Sequence, residues 1–215
     1  MQNLLVIAVS SNKGLCGGFN SNVYKYCAQL QEREKAANPK VNIQFYAIGR
    51  KISELLQKSG FSVFKSNIEA VDSVDFQKSA QIAQEAASLF VDGKFDSVRL
   101  VFNEFVNPAV QNVGESAFLP LSIEQSGSKF KSDYIFEPSK ERIVSTLIPQ
   151  WLRLVLFSAL AESFAGEQGA RMTSMNKATD NATELIKDLN LQYNKVRQAS
   201  ITNEIIEIVS GASAS

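Results

Sequence analysis

The chain opens on six consecutive apolar residues, Leu4-Leu5-Val6-Ile7-Ala8-Val9, bounded by Ser10-Ser11-Asn12. An uninterrupted run of this length predicts a strand buried on both faces, as in a parallel sheet covered by helices. A glycine-bearing turn follows. Helical composition over 23–37 then stops before Asn38-Pro39, because proline cannot continue a helix. A second strand is expected over 41–48, a short helix over 49–59 closed by Gly60, and a short strand over 61–64. Residues 76–91 place Ile82, Ala83, Ala86, Ala87 and Phe90 on one helical face ahead of Asp92-Gly93, and 98–106 reads as a further strand. Strands alternating with helices in this way predict a small α/β layer with helices packed on the sheet. From 107 to 132 the pattern loosens around Pro108, Gly114, Pro120 and Gly127, which predicts loop with an edge strand near 118–123.

Past residue 137 the pattern changes. Between 139 and 210 there is one proline, Pro149, and there are two glycines, Gly166 and Gly169. Ser139 is placed to cap the start of a helix and Gly211 to end it, a span of about 70 residues or on the order of 105 Å. Pro149 is expected to kink or interrupt it near the start. Alternate steps of three and four from Val144 give Leu147, Trp151, Leu154, Ser158, Ala161, Ala165, Gln168, Met172, Met175, Thr179, Ala182, Ile186, Leu189, Tyr193 and Val196. Thirteen of these sixteen are apolar and none is charged. That seam predicts a coiled-coil helix. No other segment of the chain is long enough to cover it, so the covering helix is expected from a second copy, another subunit or a preceding segment. Two domains follow, 1–137 and 138–215.

Composition narrows the chemistry. With 215 residues and 45% apolar content there is material for a substantial core. Lys and Arg together number 22, as do Asp and Glu. Zero net charge argues against a basic surface for nucleic acid. There is no histidine, which excludes Ser-His-Asp and Cys-His catalysis and histidine metal sites. Two cysteines, Cys16 and Cys27, fit a reducing compartment better than a disulfide scaffold. No apolar stretch is expected to reach the roughly 20 residues of a membrane span, and no basic, cleavable leader opens the chain. Any membrane association is therefore expected to go through partners.

The segment from Ser10 to Asn20, with Gly14, Gly17 and Gly18, lies between the first strand and the first helix, where nucleotide-binding α/β proteins carry a phosphate loop. Neither G-x-x-x-x-G-K-[ST] nor G-x-G-x-x-G is present. The glycines serve equally as tight turns, with Asn20 or Ser21 capping the helix. Cys16 reads as a packed side chain or as a thiol near a helix N-terminus. Glu162, Glu167, Asp180, Glu184 and Asp188 read as a solvated helix face paired with Arg171, Lys177 and Lys187. From Gln198 to Ser210 the seam breaks at Ser200 and Asn203 and apolar groups spread around the helix. Such an end inserts into a pocket built by other chains, or frays.

Two stretches resemble the gamma subunit of F-type ATP synthases. One is the first strand and turn with Gly14-Leu15-Cys16-Gly17-Gly18. The other runs from Glu167 to Gly211 and includes Gly169-Ala170-Arg171-Met172, Ala178-Thr179-Asp180-Asn181-Ala182, Tyr193-Asn194-Lys195 and Arg197-Gln198-Ala199-Ser200-Ile201-Thr202. The resemblance implies a small Rossmann-like α/β domain followed by one very long C-terminal coiled-coil helix. It also implies a rotor shaft that couples c-ring rotation to conformational change in an alpha/beta hexamer. It implies a non-catalytic subunit with no nucleotide, cofactor or metal site in this chain. Partners would be the alpha, beta and epsilon subunits and the c-ring, on the cytoplasmic face of the bacterial plasma membrane. By position, Arg171, Gln198, Thr202 and Glu204 match beta-subunit contacts, and Tyr134 and Glu137 match contacts to the c-ring and epsilon. The family's N-terminal helix, which pairs antiparallel with the C-terminal one, is expected to be missing, leaving the seam exposed to solvent. The competing readings are a stand-alone nucleotide-binding α/β protein using the loop at 14–20, and a homodimeric coiled-coil adaptor.

Overall fold

The computed structural model of the chain describes residues 2–121, 137 and 139–213. Five strands, β1 (Asn3–Val9), β2 (Asn42–Ile48), β3 (Val63–Asn67), β4 (Ser97–Asn107) and β5 (Val110–Leu119), form one sheet in the order β3-β2-β1-β4-β5. The first four run parallel, and β5 runs antiparallel to β4. Four α-helices accompany them: α1 (Phe19–Ala37), α2 (Arg50–Lys58), α3 (Phe76–Val91) and α4 (Lys140–Ser213). A 3-10 turn lies at Glu69–Val71. This is the expected α/β class with one long C-terminal helix.

The apolar run of β1 is continuous because both faces of this middle strand are covered. Leu4, Val6 and Ala8 join Val23, Cys27, Leu30, Ile52 and Leu56, the inner faces of α1 and α2. Leu5, Ile7 and Val9 join Ile82, Ala86, Leu152 and Leu156, from α3 and α4. Edge-on stacking of Phe76 on Phe157, at 5.5 Å between centroids, ties α3 to α4.

Several local expectations shift. β3 starts at Val63 and not at 61, because Phe61 closes α2 by donating its N–H to the Leu56 carbonyl at 3.0 Å and packs its ring on Phe45 and Tyr24. α1 starts at Phe19, and its N-cap is Gly18 with no side-chain cap, so neither Asn20 nor Ser21 plays that part. The loop expected from 107 is a hairpin turn. Asn107 Oδ1 accepts from the backbone N–H of Ala109 and Val110 at 2.9 and 2.8 Å, closing a tight turn through Pro108 that launches β5. Gln111, Asn112 and Glu115 hid that strand from the apolar pattern, and an edge position tolerates them.

The long helix is capped as expected, with Ser139 Oγ accepting from the Arg142 N–H at 3.3 Å. It runs unbroken through Pro149, against the expected interruption. Within Glu141–Ala212 an 18-residue window reaches a mean hydropathy of 1.6, so by composition the expectation of no span-length apolar stretch does not hold. Part of that apolar content packs on the sheet: Leu152, Leu156, Ala159 and Leu160 are buried in the core beside α3. The heptad seam is a different stripe, and Val144, Leu147, Trp151, Leu154, Met172 and Met175 on it are exposed. One compact unit extends to Thr173 and another begins at Ser174. The division expected at 137/138 follows element type, whereas this one follows packing. In the second unit the helix is exposed from 175 to 212, including Ile186, Leu189, Tyr193 and Val196 of the seam.

A charged cluster joins α1 to the β4–β5 pair. Arg99 Nη1 donates to Glu34 Oε1 and Glu115 Oε1, both at 2.8 Å, and Arg33 Nη2 donates to Glu115 Oε2 at 2.7 Å. Burial pulls the Glu115 pKa up, but the Arg33 hydrogen bond and the charges of Arg99 and Arg33 outweigh it and hold the carboxyl below the usual range. A group depressed in the folded state stabilises fully above its unfolded pKa, about 4.3, and that contribution disappears as pH falls through the folded value. Melting temperature is therefore expected to fall on acidification below about pH 4.3, and to fall less steeply in Glu115→Gln. An identical slope in the variant would remove Glu115 from the account.

Candidate functional site

The site lies where the loop after β1 and the β4–β5 turn meet α4, all within the first unit. The loop is closed on itself. Ser11 Oγ donates to the Lys13 carbonyl at 2.6 Å, and Asn20 Oδ1 accepts from the Ser11 N–H at 3.0 Å and from Ser11 Oγ at 2.9 Å. Asn20 Nδ2 reaches the Cys16 sulfur at 3.2 Å. The Asn20 side chain thus points back into the loop, which is why it leaves the helix cap to Gly18. Gly17 takes φ +58°, and Leu15 takes φ +64° although it carries a side chain, a conformation costing roughly 1–2 kcal/mol in a non-glycine residue.

Cys16, Phe19 and Ala170 form a small buried cluster joining loop and α1 to α4. Cys16 is a packed side chain. Cys27 is buried under α1, and burial pushes its thiol up to about 12. Phe19 also approaches Gly166: a Cβ there would lie 3.4 Å from Phe19 Cε2 and 3.2 Å from Gln111 Cγ. At Gly169 a Cβ would lie 2.8 Å from Pro108 Cα and 3.1 Å from its carbonyl oxygen, so backbone meets backbone at a point that only glycine leaves open. Thr173 Oγ1 donates to the same Pro108 carbonyl at 3.1 Å.

Arg171 Nη2 donates to Glu167 Oε1 at 2.6 Å and, at a longer 3.4 Å, to the Gly14 carbonyl. Glu167 is only 6% exposed, so it leaves the solvated row expected for the helix carboxylates. Glu162 is half-buried, and Asp180, Glu184 and Asp188 are exposed. Beside the pair is a cavity of about 380 Å³ lined by Asn12, Lys13, Asp72, Glu167, Gln168 and Arg171 among others. Its two cations face two carboxylates, so it offers no net positive field to a phosphate. On β4, the buried Asn103 side chain has neither amide atom paired among the described residues.

The sequence-derived interaction residues therefore fall in different places. Arg171 belongs to this junction. Gln198, Thr202 and Glu204 lie exposed on the helix of the second unit, where Thr202 Oγ1 donates to the Gln198 carbonyl at 2.8 Å. Glu137 is exposed, and Tyr134 is outside the described residues. Sequence reasoning missed Glu167, Thr173 and the Pro108 turn. The available signal was the pair Gly166 and Gly169 inside a helix, each costing about 1 kcal/mol against alanine unless something packs there.

A family model described as ATP synthase matches residues 1–214. The ATP synthase gamma chain of Christiangramia forsetii is 49% identical over 214 residues, covering all of this chain and 73% of the relative. That of Flavobacterium psychrophilum is 46% identical over 215 residues, with the same coverage. Among solved structures, a chain of the Euglena gracilis mitochondrial ATP synthase (OSCP/F1/c-ring) superposes with a TM-score of 0.70 at 21% identity, over 99% of this chain and 72% of that one. A chain from the central stalk and c-ring of the Tetrahymena thermophila enzyme gives 0.61 at 24% identity, over 83% and 76%. The two structures share the fold: a sheet-and-helix layer with a long C-terminal helix. The chain belongs to the ATP synthase gamma chain family.

Proposed function

We infer that this chain is the central rotor shaft subunit of an F-type ATP synthase. As a gamma chain it is a non-catalytic stalk component of a membrane-associated complex. The observation that carries the reading, beside the family match, is α4, whose uncharged, mostly apolar seam is exposed from Val144 to Val196 except at the half-buried Ala161. Apolar surface of that extent is stable in water only when another helix or a surrounding protein covers it.

The finer assignments follow from this role. The c-ring turns the shaft, and the shaft biases the catalytic sites of an alpha/beta hexamer through contacts that differ between their conformations. Functionally, 1–137 is the α/β domain of the rotor and 138–215 is half of an antiparallel coiled coil, completed by a helix that covers the seam. Gln198 and Thr202, four residues apart on one exposed helix face, support contact with beta-subunit loops, with Glu204 beside them and Arg171 lower down. Glu137 and Tyr134 are assigned to the c-ring and epsilon. The complex sits on the cytoplasmic face of a bacterial plasma membrane.

Co-expression with the alpha and beta subunits, and with a helix bearing a matching apolar stripe, is expected to yield a co-purifying complex. Joint Gln198→Ala and Thr202→Val substitution is expected to lower its yield. Failure to recover a complex with the covering helix supplied would count against the rotor role. Undiminished recovery of the double variant would count against these two contacts alone.

A further inference from the structure

We propose that the glycine loop and the β4–β5 turn form a clasp on α4 that fixes the helix's rotational setting against the sheet at residues 166–173. Torque then passes between the α/β unit and the helix without slip. The inference rests on the rotor reading and adds to it the place where the shaft is keyed to its domain.

Two sets of contacts hold α4 to the sheet, and they differ in kind. Lower down, Leu152, Leu156, Ala159 and Leu160 bury apolar side chains in the core. Such packing sets which stripe of the helix faces the sheet, but it does so through side chains that can change rotamer and not through backbone. Higher up, the contacts are directional or involve backbone. Gly169 admits Pro108 at a distance no side chain would permit, and Thr173 bonds the Pro108 carbonyl. Gly166 admits both Phe19 and Gln111, so the two jaws meet over it. Ala170 closes on Cys16 and Phe19, and Arg171 joins Glu167 to the Gly14 carbonyl.

Positions 166, 169, 170 and 173 share one helical face, because three- and four-residue steps return to the same side of a 3.6-residue turn. Turning the helix by one residue would bring Gln168 or Ala170 under Pro108, and the Cβ of either would collide with it. Gly169 acts as the key, since another setting presents a side chain to the Pro108 backbone already in contact, while Gly166 leaves room for the Phe19 and Gln111 side chains. This explains why the helix, whose one other glycine is Gly211 near its end, carries two of them here despite their cost. It also gives Gly14-Leu15-Cys16-Gly17-Gly18 a mechanical role, with loop polar groups that satisfy one another and backbone turns that bring Cys16 and the Gly14 carbonyl to the helix.

The test uses the chain assembled in its synthase, with Gly169→Leu to wedge the clasp and Thr173→Val to remove one hydrogen bond at nearly constant volume. Amide hydrogen exchange over residues 14–19 and 107–111 reads whether the clasp has opened, and protons pumped per ATP hydrolysed reads slip. Faster exchange is expected in both variants, with a several-fold lower pumping ratio in Gly169→Leu, a smaller drop in Thr173→Val, and ATP hydrolysis retained. A merely structural role would move melting temperature and leave the ratio alone. If Gly169→Leu does not fold, Thr173→Val decides alone. Faster exchange with a wild-type pumping ratio overturns the proposal, as does unchanged exchange. A wild-type chain that assembles no pumping complex sinks the rotor reading, and this inference with it.

Discussion

Leu156→Ala is expected to destabilise the first unit by about 2–5 kcal/mol, while Leu189→Ala, on the same helix, changes stability by no more than about 0.5 kcal/mol. Both residues are leucines in one continuous helix, so helix propensity and residue type cancel in the comparison. They differ in environment. Leu156 is fully buried among Leu5, Ile7 and Ile82 in the core shared with α3, whereas Leu189 is 53% exposed on the seam. Truncating Leu156 removes its buried methyl groups from an apolar site and leaves a cavity that the sheet behind it cannot collapse to fill. Truncating Leu189 removes surface that already faces water. Denaturant unfolding of the isolated chain, followed by Trp151 fluorescence, measures both. A loss at Leu156 no larger than about 0.5 kcal/mol would mean that α4 does not belong to the core in its first half.

The second large effect is expected at Gly49, where Gly49→Ala should cost roughly 3 kcal/mol or more. This residue ends β2 and starts α2 with φ +105°, a conformation that side chains rarely adopt. Strain is the smaller part of the cost. A Cβ there would collide with the Ser10 carbonyl oxygen and lie 2.9 Å from its carbonyl carbon. Both atoms are backbone at the end of the central strand, so they cannot swing away as a side chain would. Ser10 is itself pinned, with its N–H on the Ile48 carbonyl at 2.8 Å and its Oγ accepting from the Ile52 N–H at 3.0 Å. Gly93→Ala is the control: its φ is +72°, but nothing lies within 4 Å of its Cβ position. That substitution should cost only the conformational part, roughly 1–2 kcal/mol. Similar losses at the two positions in thermal or chemical unfolding would show that the collision with Ser10 is relieved by movement.

Much of this molecule was legible in one dimension. The run from Leu4 to Val9 marked the central strand because a sheet covered on both faces leaves no position for a polar residue. α3 was placed at its observed limits from its apolar face and the Asp92-Gly93 stop, and the structure adds an Asp75 cap on the Gln77 N–H. The seam on α4 was visible because a long helix repeats its pattern often enough to exceed chance. The resemblance at 4–20 and 167–211 named the family that the comparisons establish.

Other features were hidden, for reasons of geometry. Most of β5 was read as loop, with the edge strand expected only near 118–123, because an edge strand need not alternate cleanly and its turn is closed by an Asn107 side chain. Pro149 was read as a kink or an interruption, and the helix is not interrupted there. Glu167 was read as solvated because its i,i+4 partner Arg171 is equally consistent with a surface pair, and its burial comes from the loop and turn packed over the helix.

Order along the chain was therefore sufficient for the α/β class, the long helix, its uncovered seam and the absence of histidine chemistry, since these depend on periodicity and composition. Tertiary structure decided how α4 is divided. Its first half carries two stripes, one packed on the sheet and one left exposed, and only the positions of α3, the glycine loop and the Pro108 turn determine which residues are buried. Those positions are set by contacts between segments far apart in the chain, 65 residues for Pro108 with Thr173 and 157 for Gly14 with Arg171. Local pattern carries no record of such contacts except for the glycines that make room for them.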